Sequence, residues 1–559
     1  MSGTSNLLLL AGIGGAIYYV TRKKPVSNVE KQVLLYYSTW NQDAFPPSMI
    51  DMSVVTTIAY SFALLTYPNG TLTFDYGYDP SGLITTAHAA GKKVILALRN
   101  QDQYDYTGYV DKFLEDPVAQ DSFIRSVINE INNRGFDGVD SDIELFTDVN
   151  GFTAFQKKLA TAVRTNNPNH KLHLPMMASV GNITSRFDLL ALDPYVDYFM
   201  MMGYDWYGWW PPWIAGPNSP NLLDSASVPP WANGDGNYNT LAYLCTAINP
   251  KKLIYGVPSY GRLYRVMSDV RLAKMTAGVT SDFPYSPVDI LGYTDYINLT
   301  TSGTGTLHFD NIWQTYYLSY SGGRLENPGF EINDYGWVKR QTIVADGTPE
   351  PATGHDPHSG AYSHSESYSG KITGGGIDGR SRFYQQYVHD VGAGNSYNVS
   401  CWIKGVGISS SDIWSGGATF KITYYGFKSI GGNPPIDNQW LSSENIVFDL
   451  NLDKLGDLSY MQGTFDWTEL SWTITTPANT TYIGFEISID NAIGDVYFDD
   501  CVFDSAYGTV NKQLHFDNVA TYRLKFDHMK ELGLAGIGMW EASMIGSSTD
   551  IWKVLKEYF

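Results

Sequence analysis

Asp140, Asp142 and Glu144 stand at every second position in the stretch Phe136-Asp137-Gly138-Val139-Asp140-Ser141-Asp142-Ile143-Glu144. In an extended strand a period of two puts all three carboxylates on one face, with Val139, Ser141 and Ile143 on the other. A solvated acidic edge strand would show the same alternation. Two of the intervening residues are β-branched and apolar, however, and the stretch follows a helix-like segment and Gly135-Phe136, which points to a buried strand ending in acids. Three like charges a few Å apart cannot all ionise cheaply, so at least one carboxyl is held protonated. A protonated carboxyl beside an ionised one is the equipment for acid catalysis at a glycosidic bond. On that chemistry Glu144, at the strand end, is the general acid, and the common two-carboxylate scheme makes Asp142 a nucleophile. His88, His170 and His173 are scattered without metal-ligand spacing, no glycine-rich phosphate loop precedes a helix, and no Ser or Cys sits in a nucleophile elbow.

Such a strand needs neighbours that bury it. Apolar runs at residues 32–40, 54–65, 93–98, 172–178, 198–202, 253–257 and 536–540 read as strands, with the acidic strand fourth in order. Helix-like stretches at 81–90 (closed by Gly91), 121–133, 152–164, 240–248 and 551–559 alternate with them. Eight strands in repeated βαβ units predict an α/β fold, a (β/α)8 TIM barrel whose chemistry sits at the C-terminal strand ends.

The spacing Asp137-Gly138-x-Asp140-x-Asp142-x-Glu144 resembles the signature of glycoside hydrolase family 18, the chitinase family. Further stretches resemble that family's strands: Tyr36-Tyr37-Ser38-Thr39-Trp40, Tyr60-Ser61-Phe62-Ala63, Met202-Gly203-Tyr204-Asp205, Gly256 through Arg262, and Trp540. The third strand departs from it. Many members have Ser-x-Gly-Gly where this chain has Ala97-Leu98-Arg99-Asn100, a sequence closer to the branch of spore-cortex and peptidoglycan-acting relatives. The resemblance implies a substrate whose own 2-acetamido oxygen attacks the anomeric carbon. Asp142 then orients and stabilises the oxazolinium, Asp140 shares its proton, Tyr204 hydrogen-bonds the acetamido oxygen and Trp540 stacks on the sugar. It also implies substrate contacts from Asp205, Met202, Tyr37, Phe62, Arg262 and Trp206. The implied partner is a polymer containing N-acetylglucosamine, either chitin or peptidoglycan; a surface glycan-binding protein without catalysis is the alternative. The aromatic run from Tyr204 to Trp213 is expected to wall the cleft.

At 559 residues two or three domains are expected. Four segments follow from the pattern: residues 1–30 as anchor and linker, 31–322 as the first part of the barrel, 323–507 as an inserted unit, and 508–559 as the last strand and helix. The insert has short alternating strands and Gly/Ser/Asn-rich turns, so an all-β jelly-roll sandwich is predicted. Its Asn327-Pro328-Gly329-Phe330-Glu331 opening, Trp337 and Tyr497-Phe498-Asp499-Asp500 resemble carbohydrate-binding modules of the family 4/9 type, with Trp337, Trp414 and Trp440 as candidate sugar platforms. The pentapeptide Leu-His-Phe-Asp-Asn occurs at 307–311 and 514–518, bracketing the insert as a local duplication. No cofactor is implied, with a structural calcium ion in the sandwich left open.

The net charge of -20 and pI near 4.8 disfavour nucleic acid. The 40 Tyr, 25 Phe and 15 Trp are mostly core, but a share on loops would suit the apolar faces of sugar rings. Of the three cysteines, Cys401 and Cys501 share the insert, either bridged or as buried thiols. Leu7 to Val20 is an uncharged apolar run followed by Arg22-Lys23-Lys24, which predicts an N-terminal hydrophobic helix held in a membrane. The basic flank would place the enzyme on the cytoplasmic side, at odds with an external glycan unless it sits on a virus particle assembled inside a cell. The expected location is membrane-anchored, with the catalytic part on a cell or virion surface and the orientation open.

Overall fold

The computed structural model describes residues 31–559 apart from a set of stretches, chiefly 102–107, 230–235, 276–287, 323–337, 344–348, 351–354, 363–368, 375–379, 390–393, 411–416, 429–435, 447–460 and 506–509. Ahead of residue 31 it describes only 8–11 and 17–20.

Eight parallel strands close into a barrel: β1 (Gln32–Ser38), β2 (Thr57–Thr66), β3 (Lys93–Asn100), β4 (Gly138–Asp142), β5 (Lys171–Met177), β6 (Tyr198–Met202), β7 (Leu253–Pro258) and β8 (Gly536–Trp540). Closure comes from β8 pairing with β1, and a short antiparallel strand, Thr71–Phe74, adds to β2. Both faces of these strands are covered, so their sequences run nearly continuously apolar. Leu34, Ala59, Ile95, Ala97, Met200 and Ile254 fill the barrel interior, while Val33, Leu35, Ile58, Val94 and Leu96 join the outer layer under the helices. The strands approach closely at Gly138, where a Cβ would stand 2.3 Å from the Lys171 carbonyl oxygen.

The helices begin and end where their sequences dictate. In α1 (Pro117–Arg134) the Asp116 side chain accepts from the amides of Val118 and Ala119, and Gly135 closes it in the left-handed conformation. Next, α2 (Val149–Asn166) is capped by Asp148, and its Gln156 donates to Ser141 Oγ at 2.9 Å, gripping β4 from outside. Asn518 and Thr521 form a reciprocal capping box on α3 (Val519–Leu532).

Between β7 and β8 the chain first builds a second sheet that the sequence pattern did not disclose. Its five antiparallel strands lie in the order Val288–Gly292, Tyr260–Val266, Val510–Phe516, Thr315–Gly322, Thr306–Asp310. The two copies of Leu-His-Phe-Asp-Asn flank the Thr315–Gly322 strand in matching register: Leu307 and Leu514 both face Leu318, and His308 and His515 both face Tyr317. Their surroundings differ, because Leu307 lies on the open edge and is half exposed whereas Leu514 is fully buried.

The residues between 338 and 505 form two antiparallel sheets, of six and five strands. Val399, Ile403, Leu470 and Phe498 of one share a buried cluster with Phe485 and Ile487 of the other, so the sheets pack as a β-sandwich. The sulfurs of Cys401 and Cys501 are buried 3.2 Å apart as free thiols. Trp337 and Trp414 lie outside the described residues, as does the side chain of Trp440.

The N-terminus does not follow the expectation of a helix. Leu8–Ala11 and Ile17–Val20 pair as antiparallel strands. Three glycines between them, Gly12, Gly14 and Gly15, each cost a helix about 1 kcal/mol relative to alanine, and Ile17 to Val20 are β-branched or aromatic. Among the described residues no helix is long and apolar enough to cross a membrane.

Candidate active site

The acids of β4 sit at the mouth of the barrel. Asp140 is fully buried, and its Oδ2 accepts a hydrogen bond from the Tyr36 hydroxyl at 3.0 Å. Burial pushes its carboxyl up to about 7 against the opposing effect of that bond. Asp142 is raised well above the usual carboxylate range by burial, then by the charges of Glu144 and Asp140, while Arg99 pulls the other way. Glu144, just past the strand end, is held by its own amide, which donates to Asn100 Oδ1 at 3.0 Å. Burial lifts its carboxyl to about 7; Arg186 opposes the rise and Asp205 adds to it. The three therefore cannot all be ionised near neutrality, and they share fewer than three charges.

Tyr204, just beyond β6, lines the barrel interior. Burial and the nearby Tyr260, Asp142, Asp205 and Glu144 hold its hydroxyl well above the usual tyrosine range, so it remains a hydrogen-bond donor. Asp205 has a left-handed backbone (φ 59) and accepts from the Tyr260 hydroxyl and from Arg262 Nη2 at 2.5 Å. Arg262 is buried, and its guanidinium lies 5.2 Å from the Trp210 ring centroid. Trp540 ends β8 with its ring 5.4 Å from Tyr36 and 5.6 Å from Phe62. Its carbonyl accepts from the Ser259 amide at 2.8 Å, and the next residue, Glu541, binds Ser38 Oγ at 2.8 Å. Met202 packs beside Trp540 against the interior cluster. Phe62 in turn stacks on Trp40 at 6.3 Å, and Trp40 is partly exposed at the rim.

Two expected contacts lie elsewhere. Tyr37 points out of the barrel, where its hydroxyl donates to the Phe45 carbonyl at 2.7 Å and its ring stacks on Tyr60. Side chains alternate along a strand, so its neighbour Tyr36 is the tyrosine that enters the site. Trp206 is fully buried, its indole N–H donating to Asn237 Oδ1 at 2.8 Å, and it packs with Tyr207 in a separate core cluster. An indole satisfied and dry in this way supports the loop and does not meet a ligand. Of the aromatic run, Trp210 and Trp213 keep partial exposure, whereas Trp209 lies outside the described residues. Tyr36, Asn100, Arg99 and Tyr260 are the site residues that sequence reasoning missed. Among the described residues no group of three metal-ligating side chains occurs.

A sequence profile described as Glycosyl hydrolases family 18 matches residues 32–336, more than half of the chain. The chain belongs to glycosyl hydrolase family 18. Among relatives, it is 27% identical to Probable chitinase 2 of Drosophila melanogaster over 53% of this chain and 64% of that protein. It is 25% identical to a chitinase-like effector of Moniliophthora roreri over 44% of this chain and 63% of that one. The chain thus spans less than two thirds of either relative. Among solved structures, the Ostrinia furnacalis Group IV chitinase in complex with allosamidin superposes with a TM-score of 0.51 at 15% identity, covering 94% of this chain and 98% of that one. A Cycas revoluta GH18 chitinase in complex with (GlcNAc)3 gives 0.50 at 13%, covering 94% and 99%. These likenesses support the family 18 barrel as the fold.

Proposed function

We propose that this family 18 chain is a retaining glycoside hydrolase of polymers of β-1,4-linked N-acetylglucosamine. The observation that carries the reading is Glu144, its carboxyl pushed up to about 7 by burial, projecting beside a second acid, Asp142, at the mouth of a barrel. Protonated Glu144 gives its proton to the glycosidic oxygen as the C1–O bond breaks. The substrate's acetamido oxygen takes up C1, forming an oxazolinium whose N–H faces the Asp142 carboxylate. Water then loses a proton to the Glu144 carboxylate and attacks C1 from the side the leaving group vacated, restoring the acetamide and the original configuration. Tyr204 donates to the acetamido oxygen, and Trp540 floors the sugar. In a dry site this preorganised polar aid contributes several kcal/mol. The relatives' names, which include chitinases and a complex with (GlcNAc)3, support N-acetylglucosamine as the recognised unit.

Chitin and peptidoglycan glycan strands both present that unit. Arg99 in the mouth, where many family members have glycine, favours testing both. A second reading, glycan binding without turnover, is favoured by the relatives named chitinase-like. Release of reducing ends from chitooligosaccharides and from purified sacculi, comparing wild type with Glu144→Gln, separates the readings. Cleavage abolished by that change supports the enzyme, and retained binding with no cleavage by wild type overturns it.

A further inference from the structure

The sandwich holds two thiols that the chemistry at the barrel mouth does not touch. Cys401 lies on the strand Ser396–Ser409 and Cys501 on the strand Ile493–Ser505, antiparallel neighbours in the five-stranded sheet. Along the first of these, buried and outward positions alternate, and Val399, Cys401 and Ile403 all face the sandwich core. The pairing shifts where the cysteines meet. Ser400 faces Val502 and Trp402 faces Asp499, so the single residue Cys401 stands opposite two, Asp500 and Cys501. A bulge of this kind re-aims a side chain. Here both sulfurs lie in the core 3.2 Å apart, with the Cys501 thiol donating to Cys401 Sγ. The third cysteine is elsewhere: Cys245 is on the barrel helix Asn237–Ala247, its Sγ 4.0 Å from the Leu532 carbonyl oxygen.

A single buried cysteine acts as a small hydrophobe. Two that meet across adjacent strands are a different case, because the register already holds their backbones at a separation that a disulfide spans. A disulfide has its sulfurs about 2.05 Å apart, so closing the bond takes an approach of about 1 Å, within reach of side-chain torsions.

We propose that Cys401 and Cys501 form a structural disulfide that fastens two inner strands of the five-stranded sheet. The residues it ties are 100 apart, and the chain between them contributes the strands Gly417–Lys428, Ile436–Ile446 and Thr480–Asp490 to the facing sheet, so one bond closes a loop through both layers. Loops of that length gain most from closure. The bond forms by exchange with a small disulfide such as oxidised glutathione. One cysteine thiolate attacks it and expels one small thiolate, and the other cysteine then displaces the second. The cysteines lose two electrons and two protons, which end on the two small thiols. Burial, then the hydrogen bond and charge of Cys401, holds the Cys501 thiol well above its usual range, so exchange needs the sandwich to open and stops once it closes. Such a bridge belongs to a chain that matures in an oxidising space, since a reducing one keeps both thiols. Its presence or absence leaves the hydrolase reading untouched.

The full chain, held with oxidised and reduced glutathione in urea at the edge of its unfolding transition, is then alkylated with N-ethylmaleimide in denaturant and digested. Cys401 and Cys501 should be recovered as one disulfide-linked pair of peptides, whatever the state of Cys245. Both sandwich cysteines alkylated, or either joined to glutathione or to Cys245, overturns the proposal. In thermal scans, prior reduction should lower an unfolding midpoint of the bridged chain by about 10 °C. The double change Cys401→Ala and Cys501→Ala should abolish that response. Turnover of soluble chitooligosaccharides, measured well below the midpoint, should be the same in the bridged and reduced chains. A bridge that forms without moving any midpoint overturns the fastening role. If the double variant fails to fold, the peptide map and the reduction of wild type decide.

Discussion

Two sets of buried carboxyls in this barrel are treated in opposite ways. Asp517, at the foot of α3, is fully buried and meets the equally buried Lys525 at 2.6 Å, and Lys525 also donates to the Ser219 carbonyl at 2.7 Å. Asp140, Asp142 and Glu144 are gathered on one face with each other as neighbours, and an oxygen of each aspartate has no partner among the described residues. The first set is a closed structural account: one charge, one countercharge, tying α3 to the loop beyond β6. The second leaves charge unresolved, which costs stability and keeps protons available near neutral pH.

The comparison can be broken at its most reactive point first. Glu144→Gln should lower kcat on N-acetylglucosamine oligomers by about 1,000-fold, within the range typical of a lost general acid, without lowering the midpoint of thermal unfolding. Unchanged turnover would remove the acids from the chemistry. At the other pole, Lys525→Met should destabilise the fold by about 3–5 kcal/mol in urea unfolding, because Asp517 is left buried and unpaired. Changing Asp517 to Leu in the same chain should recover most of that loss, and a loss that persists would show that packing, not charge, sets the cost. A smaller effect concerns pH. The folded chain keeps a proton on Asp140 up to about 7, whereas the unfolded chain releases it near the ordinary aspartate value. Between those limits the native state binds more protons, so stability falls as pH rises through about 4 to 7. In Asp140→Asn that fall should shrink by on the order of 2–4 kcal/mol in unfolding series at pH 4 and 7, alongside reduced turnover. Least of all, Tyr36→Phe should lower kcat by tenfold or less and move Asp140's titration upward, since the lost hydrogen bond favoured its ionised form. A downward movement would show that the hydroxyl serves the neutral acid.

The two sets also differed in how far they could be read from the chain. The acids on β4 were legible because a period of two and a β-branched opposite face are written into nine consecutive residues. The barrel was legible because parallel strands buried on both faces give long apolar runs. That same burial hides direction: Tyr36 and Tyr37 are both almost fully buried, so nothing local says which enters the site, and register alone decides it. Trp206 looked like a cleft wall by proximity to Tyr204, yet its buried partner, Asn237, lies 31 residues away. The second sheet escaped for a related reason. Tyr260–Val266 pairs with Val510–Phe516, and no periodicity reports a partner so distant in sequence. At the N-terminus hydrophobicity alone predicts a helix, whereas the glycines and β-branched residues there favour strands.

One pairing in the second sheet sets how the sandwich is carried. The chain leaves that sheet at Gly322 and rejoins it at Val510, and these two residues face each other across adjacent antiparallel strands. In topological terms the whole sandwich is the loop of a single hairpin. The sheet therefore sees two neighbouring stubs whatever hangs between them, and a short turn in place of residues 323–509 would satisfy the same hydrogen bonds. The sandwich thus hangs on the rest of the chain by one pair of neighbouring strands.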